Sequence, residues 1–239
     1  MKKLGLDPTQ IKYIVLSHGH WDHCGAMLRA LDMIRARNGA QAVPTYMHPD
    51  MYRSRAVKAK SGAMLPMEDV PTVAMLEEHG ARVVQSSEAQ QVLDDLFFIS
   101  GEIPRVTAFE TGLPRHYRRT KDGSDWEPDP LLMDERFVAV QVKDKGAVVL
   151  TACSHAGVVN VMTHARDCFA STPLHGVLGG FHLAGTNERI IPQTVEALRA
   201  FDLKSIAPGH CTGWRAVNAL AATFGEAIVP STVGKAFHY

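Results

Sequence analysis

Four side chains able to bind a metal or carry a proton fall within six residues: His18, His20, Asp22 and His23, in the segment Ser17-His18-Gly19-His20-Trp21-Asp22-His23. Imidazole nitrogen and carboxylate oxygen are donors that zinc and its first-row neighbours take from proteins. Alternate residues of an extended segment point the same way, so His18 and His20 can grip one ion, while a turn after them swings Asp22 and His23 toward a neighbouring position. Four ligands so close together suit two metals. A chance origin is a weak competitor, because the pattern arises at random in roughly one chain in several hundred of this composition.

Three more histidines share one placement. His155 follows the apolar run AVVLTAC, His182 follows the strand and glycines of LHGVLGGFHL, and His210 follows SIAPG. Each stands at the C-terminal end of a predicted strand, the edge at which α/β sheets gather their sites. A single histidine there is more often a hydrogen-bonded loop residue, but the first cluster needs further ligands, and these three are the candidates. Cys24, Cys153 and Cys211 each sit beside a candidate ligand. Thiolates bind zinc well. Adjacent residues on a strand end point apart, however, and free cysteine commonly packs as a small apolar residue, so packing is the reading given to them and to Cys168. His48 is read as a loop residue, His79 as a helix C-terminal residue meeting the helix dipole, and His116, His164 and His238 as surface residues.

The elements that must hold these side chains alternate between strand and helix. Strands are expected at 11–17, 43–47, 81–85, 96–100, 136–142, 147–153, 174–178 and 205–207. Helices are expected at 25–37, 69–79, 156–168, 188–201 and 214–224, with Asn38-Gly39 and Gly80 as stops. The charged, Pro/Gly-punctuated stretch 115–130 reads as a long exposed loop within one domain spanning 1–239. This mixture implies a layered α/β domain.

Composition narrows the function. Lys+Arg 25 balances Asp+Glu 25, and 46% of the 239 residues are hydrophobic, an ordinary globular composition. A basic nucleic-acid coat is excluded, and no nucleic-acid partner is expected. No apolar run approaches the length of a membrane span, and Asp7-Pro8 interrupts any signal-like start, so no membrane association and a cytoplasmic location are expected. Four widely spaced cysteines are read as reduced thiols.

With HGHWDH (18–23), CSHAG (153–157) and PGHCTG (208–213) on the page, the chain resembles the metallo-β-lactamase superfamily. GEIPR (101–105), ETGLPR (110–115) and GGFHL (179–183) make it similar to the branch named for 7,8-dihydropterin-6-methyl-4-(β-D-ribofuranosyl)aminobenzene-5′-phosphate synthase. The resemblance implies a four-layer αββα sandwich, here with shortened N-terminal strands because only seventeen residues precede His18. An exposed edge of that kind invites pairing, so either a homo-oligomer or a fragment of a longer protein is expected. It also implies two divalent ions, zinc first, with manganese or iron accepted by the same donors. His18, His20 and His155 would hold one, and Asp22, His23 and His210 the other. A metal-bridged hydroxide would be the nucleophile, oriented by Asp22.

The chain departs from the superfamily at His182, where many members carry a bridging aspartate. Neutral imidazole cannot bridge two ions, so His182 is expected as a terminal ligand or as a hydrogen-bond donor to substrate. With Asp22 the only carboxylate ligand, the site retains a charge of about +2, which favours an anionic substrate such as a phosphate ester. Arg105 and Arg115, inside branch motifs, are the expected anion contacts, and Trp21 the expected pocket wall; Arg118 and Arg119 have only local charge behind them. The expected function is therefore metal-dependent hydrolysis of a small anionic ester. A synthase-like transfer and a non-catalytic metal-binding oligomer are the alternatives.

Overall fold

In the computed structural model, which describes residues 2–239, the elements follow one another as β1 (Ile14–Val15), α1 (Trp21–Cys24), α2 (Met27–Arg35), β2 (Val43–Met47), β3 (Arg55–Lys58) and β4 (Met64–Pro66). Next come α3 (Val73–Glu78), β5 (Ala81–Gln85), β6 (Gln90–Val92), β7 (Phe97–Ile99), β8 (His116–Arg119) and β9 (Trp126–Pro128). The chain ends with β10 (Val138–Val142), β11 (Gly146–Leu150), α4 (Val158–Cys168), β12 (Leu174–Gly180), α5 (Ile191–Leu198), β13 (Ser205–Gly209) and α6 (Trp214–Phe224). It divides into two compact units, residues 1–87 with 113–134, and residues 88–112 with 135–239.

The first unit contains two sheets. The parallel sheet β1-β2-β5 is covered by helices. On α2, Met27, Leu31 and Ile34 lie at helical spacing on one face, and they pack with Leu16, Val43, Met47, Leu76 and Ala81 into a core. The antiparallel sheet runs β4-β3-β8-β9. Here the exposed loop expected over 115–130 is replaced by a hairpin, β8-β9, whose tip alone is a loop. Its charges are paired across the strands: Arg118 meets Glu127 at 2.9 Å, and the Arg119 guanidinium lies 4.2 Å from the Trp126 ring. Cross-strand pairing of this kind converts a polar sequence into a ladder that apolar periodicity does not announce.

The second unit is built on one six-stranded sheet, in the order β13-β12-β11-β10-β7-β6. Strands β11, β12 and β13 are mutually parallel and adjacent, so their C-terminal ends emerge side by side. Buried side chains from β10, β11 and β12 pack with α4, α5 and α6, among them Val149, Val161, Met162, Val177, Leu198 and Leu220. Helix α4 turns Val158, Val161, Met162 and Ala165 inward, but Cys168 is exposed at its end, where Phe169 takes the buried position. The reading of Cys168 as core is thus corrected. No helix among the described residues is long and apolar enough to cross a membrane.

Candidate metal centre

In the first unit the HGHWDH segment follows β1 and enters α1. The ring centroids of His18 and His20 are 4.8 Å apart, and those of His18 and His23 4.4 Å. His23 Nε2 lies 3.3 Å from the exposed Asp22 carboxylate. His116 is the surprise. It was expected at the surface, but it is buried, with its ring nitrogen 3.2 Å from that of His20 and its other nitrogen 3.1 Å from the Asp129 carbonyl. Its place in β8, a strand hidden in polar sequence, is the reason.

The backbone of this segment is held by a buried ion pair. Asp134 Oδ2 accepts from Gly19 N at 2.8 Å and meets Arg55 Nη2 at 2.8 Å. Burial alone pushes the Asp134 pKa up, but the Arg55 charge and the hydrogen bonds from Arg55 and Gly19 outweigh it, so the carboxyl stays below its ordinary value. Gly19 is obligatory here, because a Cβ would stand 2.3 Å from Arg55 Nη1 and 2.4 Å from the Met51 carbonyl oxygen. His20 is pushed down to about 3, first by burial and then by the Arg55 and His116 charges, which leaves it in the neutral form that ligates metal. Cys24 packs in the core as expected, and burial pushes its thiol up to about 12.

In the second unit, the loops after β11, β12 and β13 converge. The ring centroids of His155 and His182 are 4.3 Å apart. Ligand atoms of Cys153, His155 and His182 all lie within 4.8 Å of one another, as do those of Cys153, His210 and Cys211. Cys153 is buried and Cys211 partly buried, as packing would have them, but their sulfurs also lie among candidate donors. Adjacent side chains point apart in extended backbone, but Ser154 (φ 56°), His182 (φ 45°) and His210 (φ 48°) are left-handed, which turns neighbours toward a common point. Three non-glycine residues in three adjoining loops thus hold a conformation that persists only where the surroundings fix it. The Cys211 thiol is held below its ordinary value, chiefly by hydrogen bonding with Cys153, with His182 adding to this against the opposing effect of burial.

Two buried carboxylates brace the His155 loop. Glu135 accepts from His155 N at 2.8 Å and Ala156 N at 2.7 Å. Glu110 accepts from Val159 N and Asn160 N, each at 2.8 Å. Glu110 thereby satisfies two free N–H groups in the first turn of α4, whose N-cap Gly157 has no side chain to do so, while Glu135 holds the loop just before the helix. Burial nonetheless pushes Glu110 up to about 7. Sequence reasoning assigned no role to Asp134, Glu135, Glu110 or Arg55; the charged run Asp-Glu-Arg at 134–136 before an apolar strand, and the place of Glu110 at the head of ETGLPR, were the signals available. A pocket bounded by Phe109, Thr111, Gly112, His155, His182 and Asn187 opens beside the His pair.

The expected substrate contacts fare unevenly. Arg105, half-buried, donates to the Ile103 carbonyl and feels the Glu110 charge. Arg115 is exposed in the first unit. Arg118 is engaged with Asp50 and Glu127, and Arg119 with Trp126, in structural pairs. Trp21 is 38% exposed, and its ring covers Gly25 so closely that a Cβ there would lie 2.4 Å away.

The histidine-rich donor set and this α/β architecture point to a class: the family model of the metallo-β-lactamase superfamily matches residues 1–118, just under half of the chain, and the fold is similar to that of a solved structure from that superfamily. Among particular relatives, it is 27% identical over 228 residues to the 7,8-dihydropterin-6-methyl-4-(β-D-ribofuranosyl)aminobenzene-5′-phosphate synthase of Methanocaldococcus jannaschii, covering 95% of this chain and 74% of that protein. An uncharacterized protein of the same organism is 26% identical over 211 residues, covering 87% and 72%. The crystal structure of a metal-dependent hydrolase of the β-lactamase superfamily superposes with a TM-score of 0.76 at 22% identity, covering 98% of this chain and 81% of that one.

Proposed function

We propose that the protein is a metal-dependent hydrolase of small anionic esters, phosphorylated substrates above all. The observation that carries this reading is the gathering of imidazoles, His18, His20 and His23 in one unit and His155 and His182 in the other, at loops that leave parallel strands. The donors fit divalent ions. His20 is neutral, and the backbone is pinned by Asp134 at Gly19, between His18 and His20, and by Glu135 at His155. Bound divalent ions supply Lewis acidity and lower the pKa of water to near neutrality.

The roles we propose follow the superfamily motifs. His18, His20, Asp22 and His23 in the first unit and His155 and His210 in the second serve as metal ligands. Asp22 is exposed and beside His23, where it can take and pass a proton at Oδ2. His182, bordering the pocket, either completes the coordination or donates to substrate. Arg105 and Arg115 offer guanidinium groups to an anion, and Trp21 an aromatic face. A second reading, transfer in place of hydrolysis, is supported by the name of the 27% identical relative.

The test is a panel of phosphomonoesters, phosphodiesters and lactones, each assayed with and without chelator. Turnover of a phosphoester, abolished by chelation and restored by zinc or manganese, is the expected result. Much faster turnover of neutral lactones overturns the anionic preference, and pyrophosphate release from a phosphoribosyl substrate selects transfer.

A further inference from the structure

We propose that Cys153 is a metal ligand whose sulfur bridges two ions, one held also by His155 and His182, the other by His210 and Cys211. This rests on the metal-binding part of the function proposed above, not on the identity of the reaction.

Cys153 is common to two donor groups, each with its ligand atoms within 4.8 Å of one another. Tetrahedral zinc, with bonds of about 2.0 Å to imidazole and about 2.3 Å to thiolate, sets its donors about 3.5 Å apart, so each group needs only small side-chain rotations to close on an ion. The backbone within and beside the donor set is unusual: Ser154, His182 and His210 all hold left-handed conformations, which non-glycine residues adopt only where the surroundings fix them. The space is also kept clear for sulfur. A Cβ on Gly180 would stand 2.8 Å from Cys211 Sγ and 3.3 Å from Cys153 Cα.

Chemistry gives the bridge a reason. Neutral imidazole offers one lone pair, so His182 cannot join two ions as a carboxylate does. A thiolate sulfur has lone pairs for two bonds and carries the negative charge that two divalent ions need between them. Cys153 is also 3% exposed, which shields the sulfur from oxidants.

Cobalt titration of the metal-free full-length chain reads this directly, because thiolate-to-cobalt charge transfer absorbs in the near ultraviolet. The band should grow through two equivalents of cobalt. It should still do so in Cys211→Ser, where Cys153 is the remaining sulfur, and in Cys168→Ser. Cys153→Ser should lose the band at the first equivalent and keep at most the Cys211 contribution at the second. Growth that stops at one equivalent in the unaltered chain, a band unchanged by Cys153→Ser, or no cobalt uptake overturns the proposal. Zinc-edge X-ray absorption of the unaltered protein needs no variant: a sulfur shell near about 2.3 Å supports it, and nitrogen and oxygen alone overturn it. A sulfur signature without hydrolysis leaves this inference standing while the hydrolase reading fails, and hydrolysis without the signature does the reverse.

Discussion

At the residue scale, the molecule spends buried charge to fix histidines. Asp134 and Arg55 are both nearly inaccessible and 2.8 Å apart, and the same carboxylate oxygen holds Gly19 N between two candidate ligands. Removing one partner leaves the other buried and uncompensated, so Asp134→Ala should cost about 3–5 kcal/mol in denaturant unfolding. A cost under about 1 kcal/mol would show that the pair is not a structural anchor. Glu135 presents the same logic around His155. Glu135→Gln keeps one acceptor oxygen and should weaken metal uptake by 10- to 100-fold, roughly the effect of losing a group that orients a ligand, while leaving the chain folded. Metal affinity from competition with a chromophoric chelator checks it. The histidine candidates themselves were legible because their types and spacing are rare. Their supports were not, since a lone Asp or Glu carries no periodic signal and its partner lies more than a hundred residues away in the case of Gly19.

At the element scale, the longer apolar strands were readable, and the polar ones and the three-residue β4 were not. The expected strands at 43–47 and 81–85 match β2 and β5 end to end, and α6 matches its expected span of 214–224. Strands β3, β8 and β9 were missed because Arg55, Arg118, Arg119 and Glu127 are held by ion pairs and ring stacking, not by alternating burial. That same blindness hid His116. The end of β12 shows how an element delivers a site: a Cβ on Gly179 would come within 1.8 Å of the Thr151 carbonyl oxygen, and its φ of 135° suits glycine alone. Gly179→Ala should therefore destabilise by at least about 2 kcal/mol and reduce metal content, measured by thermal unfolding and elemental analysis on the same preparation. A variant as stable as the parent would contradict this close approach.

At the scale of the whole molecule, two buried carboxylates pull pH dependence in opposite senses. Glu110 is pushed from 4.5 up to about 7, so the folded chain binds more protons than the unfolded one between those values. Stability from this group is present at low pH and falls as pH rises through that window. Asp134 is held below its ordinary 3.8, so its contribution is present above that value and is lost as pH falls toward its folded pKa. Unfolding free energy should then decline from about pH 4.5 to 7 in the parent, by an amount on the order of 1–3 kcal/mol. Glu110→Gln should flatten that decline without touching the loss in stronger acid. The α/β class and the resemblance to the superfamily were legible from motifs that span the chain; the division into two units was not, because nothing in the composition changes at residues 87, 112 or 134.

In the function proposed, this chain holds metal ions through its histidine loops and uses them for hydrolysis. Metal content per chain, measured by elemental analysis of protein purified without added metal or chelator, tests its foundation most directly. About two divalent ions per chain is the result predicted here. A folded chain that carries none and takes up neither zinc nor manganese would contradict it.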